Sequence, residues 1–91
     1  MPFGPRMPKR ITKRQFDLWM RRLSNKLSQQ KRWDVEKVFY AHLHEPGRNE
    51  GIDQHEFDLT MKWLRGNINK HRLSESDLDF MEESSAEYLK N

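Results

Sequence analysis

Ile11-Thr12-Lys13-Arg14-Gln15-Phe16-Asp17-Leu18-Trp19-Met20 is repeated in outline by Ile52-Asp53-Gln54-His55-Glu56-Phe57-Asp58-Leu59-Thr60-Met61, 41 residues further on. Ile, Phe, Asp, Leu and Met recur in register, while Thr/Asp and Gln/Glu exchange like for like. The correspondence continues through Arg21/Lys62 and Leu23/Leu64 to Leu27/Ile68. Each copy has the chemistry of a helix entrance. Thr12 or Asp53 accepts a hydrogen bond from the first turn, and Gln15 or Glu56 reaches back to the cap's own amide. Ile11 and Ile52 precede the caps, and Phe16 and Phe57 stand where a hydrophobic staple closes. Two such entrances point to a duplicated helix–loop–helix unit.

A third start, Leu73-Ser74-Glu75-Ser76-Asp77-Leu78, follows the same plan with an aspartate in the reaching position. Asp34, ahead of Val35-Glu36-Lys37, offers a plainer fourth. These caps predict an all-α fold, a compact four-helix domain with helices at roughly 13–30, 34–44, 54–66 and 75–89. Phe16, Trp19, Met20, Leu23 and Leu27 make the apolar stripe of the first helix, and Val35, Val38, Phe39, His42 and Leu43 that of the second. Phe57, Met61 and Leu64 serve the third helix, and Leu78, Met81, Tyr88 and Leu89 the fourth. No segment alternates convincingly as a strand. Residues 1–10, with three prolines and a glycine, read as a disordered basic tail, leaving 11–91 as a single helical domain.

Composition narrows the function classes. Apolar and charged residues each make up 34% of the 91 residues, so the core must be thin, and ten aromatics compensate with large buried areas. The absence of cysteine excludes a disulfide framework and thiol chemistry, and fits a cytoplasmic setting. No apolar run is long enough for a bilayer, and no signal-peptide segment opens the chain, so secretion by that route is not expected. Charge is polarised. Residues 1–32 carry ten Lys/Arg against Asp17 alone, whereas residues 33–91 carry seven against thirteen acids. Either the basic end meets an anion, or the two ends neutralise each other.

The segment Gly51-Ile52-Asp53-Gln54-His55-Glu56-Phe57 resembles the second half of an EF-hand loop entering its exit helix. Ile11-Thr12-Lys13-Arg14-Gln15-Phe16, with Met20 and Leu23, looks like the exit helix of a preceding hand. Val35 to Leu43 would be the entering helix of the second. This resemblance, to degenerate calmodulin-like hands over residues 11–68, implies a helix–loop–helix pair with an apolar groove for a partner helix. With Glu56 as the closing calcium ligand, Glu45, Asn49 and Asp53 become the remaining oxygen donors. Gly47 then lacks the oxygen of the third slot, and Glu50 holds the place of the turn glycine. A metal-free loop is therefore expected, with weak calcium binding as a lesser alternative. His42 and His44 diverge by about 200° on a helix and cannot share a zinc ion. No phosphate loop, nucleophile elbow or coupled carboxylate pair is present, so neither an enzyme nor a cofactor is expected. The acids of the fourth helix (Glu75, Asp77, Asp79, Glu82, Glu83, Glu87) read as a solvated face.

Two function classes follow. The first is a small regulatory or adaptor module, a monomer or weak homodimer, that binds a protein through Leu59 and Trp63. These two lie one turn apart on the side of the third helix opposite Phe57, Met61 and Leu64. The competing expectation is that Phe80 or Met81 covers them. The second class is a nucleic-acid-associated factor using the tail and first helix. Its phosphate contacts would come from Lys13, Arg14, Arg21, Arg22 and Lys26, with Lys9, Arg10, Lys31 and Arg32 beside them. Salt separates the two, since phosphate contacts weaken steeply with it.

Overall fold

The computed structural model describes residues 10–44 and 51–89. Four helices carry the fold: α1 (Lys13–Leu23), α2 (Gln29–Leu43), α3 (Gln54–Gly66) and α4 (Glu75–Leu89). A short 3₁₀ turn (Ile68–Lys70) links α3 to α4. Two-residue strands β1 (Arg10–Ile11) and β2 (Ile52–Asp53) pair antiparallel, with Arg10 opposite Asp53 and Ile11 opposite Ile52. The architecture is thus all-α with a minute sheet.

The three entrances are built alike. Thr12 and Gln15 exchange bonds of 3.0 and 3.1 Å, and Asp53 and Glu56 of 3.0 and 2.8 Å. Ser74 and Asp77 exchange bonds of 2.9 and 3.2 Å. In each case the residue before the cap and the one four positions after it are buried: Ile11 with Phe16, Ile52 with Phe57, Leu73 with Leu78. One local motif therefore starts α1, α3 and α4, and each copy anchors two side chains in the same core.

The echo is also a spatial relation. Ile11 and Ile52 hold equivalent places in the two copies and face each other across the β1–β2 pair, which relates the copies by a local pseudo-twofold. Gly51 makes the approach possible. Its φ of 99° lies in the region side chains avoid, and a Cβ there would stand 2.9 Å from the Ile11 carbonyl oxygen.

Three sequence expectations are corrected. The first helix ends at Leu23 rather than near residue 30, and α2 begins at Gln29 rather than 34. Ser24 caps the end of α1, its hydroxyl donating to the Arg21 carbonyl, and Ser28 takes extended backbone and accepts from the Lys31 amide. Asp34 is consequently inside α2. Its carboxylate accepts the Arg72 amide at 2.9 Å and ties the α3–α4 connection to α2. Leu27 stays buried, but from the turn. Arg10, assigned to the tail, is a strand residue, and the pairing itself is too short to leave a period in the sequence. Residues 1–9 lie outside the described residues.

The third correction concerns the acidic face of α4. Asp77 is buried at 3% exposure, bonded by the Lys31 ammonium at 2.7 Å. Burial alone would raise its pKa, but the Lys31 bond and the Ser74 amide and hydroxyl outweigh this and hold it below the ordinary aspartate range. The other acids of this face remain exposed. Glu75, Asp79 and Glu82 converge on Arg65 of α3, whose guanidinium is held more firmly protonated by Glu82 and Asp79. Glu87 pairs with Arg22.

Aromatic packing closes the core. Trp19 meets Phe16, Phe39 and Phe57 edge-on at centroid separations of 5.7–6.0 Å, and Phe39 stacks on Phe57 at 5.6 Å. The Trp19 indole N–H donates to the buried Ser84 hydroxyl at 2.8 Å, so α4 is fixed to α1 by a satisfied polar contact inside the core. Among the described residues, no helix is long and apolar enough to cross a membrane.

Candidate functional site

Once the caps and staples have committed Phe57, Met61 and Leu64 to the core, the helical period turns Leu59 and Trp63 outward. They remain 51% and 46% exposed. Met81 is fully buried and Phe80 is half-buried against the core, so α4 leaves this stripe uncovered. Val38 and His42, one turn apart on α2, face them. With Thr60 these residues line an open groove of about 320 Å³.

The polar groups at the groove's edges are satisfied. The Thr60 hydroxyl donates to the Glu56 carbonyl at 2.9 Å within its own helix. The His42 ring bonds the Glu56 carboxylate at 3.0 Å. At the other end, Trp63 meets the His71 ring with centroids 6.3 Å apart. His71 is itself locked: its Nδ1 accepts the Leu73 amide at 3.0 Å, so Nε2 carries the proton and donates to the Leu64 carbonyl at 2.8 Å. Asn67 bonds the Trp63 carbonyl at 2.8 Å. The groove therefore presents an apolar floor on a fixed backbone.

The calcium candidates are divided. Glu45 and Asn49 lie outside the described residues. Asp53 and Glu56 serve as the two halves of the α3 capping box, and the guanidinium of Arg10 stands 3.6 Å from each carboxylate. Glu56 thereby joins β1, α2 and α3. Among the described residues, no three His, Cys, Asp or Glu side chains cluster in a metal-binding arrangement.

The basic row is divided as well. Lys13, Arg14, Arg21, Arg22 and Lys26 are all exposed, Arg22 pairing with exposed Glu87, and Lys31 bonds buried Asp77. Arg10 is engaged at the α3 cap, and Lys9 lies outside the described residues. Two large exposed aromatics escaped the sequence reading: Trp33 and Tyr40, at 56% and 58% exposure. With α2 starting at Gln29, Trp33, Lys37, Tyr40 and His44 fall within an arc of roughly 60° at 100° per residue. Their i, i+7 spacing was the available signal, hidden by the late helix start.

No protein-family model, curated protein or solved structure matches this chain.

Proposed function

We propose that this chain is a non-enzymatic adaptor or regulatory module of the cytoplasm, and that the groove between α2 and α3 receives an apolar helical segment of a protein partner. The observation that carries this reading is the half-exposed Leu59–Trp63 pair facing Val38 and His42 across an open apolar groove. Two i, i+4 rows on neighbouring helices suit a third helix laid between them, and a half-exposed tryptophan makes a strong anchor. An EF-hand-like pair over residues 11–68 would offer its partner a groove of this kind, and Asp53 and Glu56 serve here as caps of α3. The module needs no metal and acts as a monomer or weak homodimer.

The test uses a photo-crosslinking residue in place of Leu59, identification of the captured protein, and reconstitution from purified components. Leu59→Ser with Trp63→Ser should lose at least tenfold in affinity for that protein. Both side chains are already half in water, so the double variant should keep its cooperative melt and lose only about 1–2 kcal/mol of stability. Unfolding of the variant would show that the stripe belongs to the core, and unchanged affinity would remove it from the interface.

A further inference from the structure

The outer face of α2 carries a second surface, distinct from the groove. Three shallow clefts meet on it. One, of about 240 Å³, is lined by Arg21, Arg32 and Trp33 among others. The next, of about 430 Å³, shares Trp33 and adds Lys37, Tyr40 and Arg72. The third, of about 350 Å³, shares Lys37 and Arg72 and adds Lys70. Shared walls make them one continuous track from the end of α1, across α2, to the connection before α4.

The track combines cations with two exposed aromatic rings. Its walls hold five Lys/Arg against two acids, Asp34 and Glu36. Asp34 is already engaged by the amide and guanidinium of Arg72, at 2.9 and 3.3 Å. Arg32 lines the first cleft beside Arg21, so two guanidinium groups stand at that end of the track. Trp33 stands where the first two clefts join, and Tyr40 lies two turns along α2, about 10.5 Å away at 1.5 Å per residue.

This order of groups selects the occupant. A second copy laid antiparallel on α2 would place Lys37 near its own equivalent at the centre of the stripe, which like charge opposes. A purely apolar helix would leave Arg21, Arg32, Lys37 and Lys70 unanswered, Arg72 being paired with Asp34. A flat anionic surface would not enter the clefts that the rings and cations line. Two flat rings in the middle cleft, with cations beside them and at both ends, match a chain that carries flat rings and anions together. We propose that this track binds single-stranded nucleic acid, with bases stacked on Trp33 and Tyr40. Phosphates then sit against Arg21 and Arg32 on one side, and against Lys37, Lys70 and Arg72 on the other. The groove reading is independent of this one, because Val38 and His42 occupy a different face of the same helix.

The test is fluorescence anisotropy of a labelled oligothymidylate of about fifteen nucleotides with the full chain, across a salt series. Trp33→Ala should weaken binding about 5- to 150-fold, with Trp33→Phe restoring most of it, because the ring is the platform. Lys37→Gln with Lys70→Gln should flatten the slope of log affinity against log salt by about 1.4, at about 0.7 per phosphate contact. Both aromatics are more than half exposed, so circular dichroism should show the fold unchanged. Leu59→Ser with Trp63→Ser should bind the strand as the parent does, so failure of the groove reading leaves this result intact. Absence of oligothymidylate binding, or Trp33→Ala binding like the parent, overturns the proposal. Polyglutamate or phosphatidylserine vesicles bound more tightly, with the same dependence on Trp33, would overturn it in favour of an acidic peptide or a lipid surface.

Discussion

Replacing Asp77 with Ala removes an acidic side chain that the sequence places among solvated neighbours and the fold places in the core. One carboxylate oxygen accepts the Ser74 amide at 2.9 Å and the Lys31 ammonium at 2.7 Å. Losing the capping bond costs about 1 kcal/mol. Losing the charge-assisted bond to Lys31 costs about 1–2 kcal/mol, below the full penalty for an orphaned buried charge, since Lys31 is about one-third exposed and can turn to water. The expected sum is about 2–3 kcal/mol, a large share of the roughly 5–13 kcal/mol available to a domain of this length. Lys31→Met keeps the cap but leaves the buried carboxylate without its cation, so it should cost at least as much as the charged part. Urea unfolding of the parent, both single variants and the double variant then measures the coupling between the two side chains. Acid adds an independent readout. The folded carboxylate is more acidic than the unfolded one, so the unfolded chain takes up its proton first as pH falls. The stabilisation is complete above the ordinary aspartate value of about 3.9 and is lost as pH falls through the folded one. Asp77→Asn should therefore show a flatter loss of stability below about pH 5 than the parent. A stability within about 0.5 kcal/mol of the parent for Asp77→Ala, or an unchanged acid slope for Asp77→Asn, would refute the reasoning.

Gly51→Ala should cost at least about 2 kcal/mol, because it adds an unfavourable φ to a close contact with the Ile11 carbonyl. Amide spectra should show the Ile11 and Ile52 signals moving most. Millimolar calcium should leave the chemical shifts of Asp53 and Glu56 in place, since each carboxylate accepts the other residue's amide and faces Arg10. Saturable shifts there would establish a working calcium loop.

Features that depend on neighbours three to five residues apart are legible in the chain alone. The entrances at Thr12, Asp53 and Ser74 could be read because cap, reaching side chain and staple all lie within one helical turn. The same locality placed α3 and α4 and divided α3 into a core stripe and the Leu59–Trp63 stripe. It misplaced the start of α2, because Ser28 lacks an acid three residues on, whereas Asp34 looks like a cap and is instead held by Arg72, 38 residues away. That error concealed the alignment of Trp33 with Tyr40. Packing between distant segments makes Asp77 a buried partner of Lys31, brings Ile11 to Ile52, and leaves Leu59 and Trp63 uncovered by α4. Each of these depends on how helices distant in sequence fall together, and a helical period defines a face without specifying what packs against it.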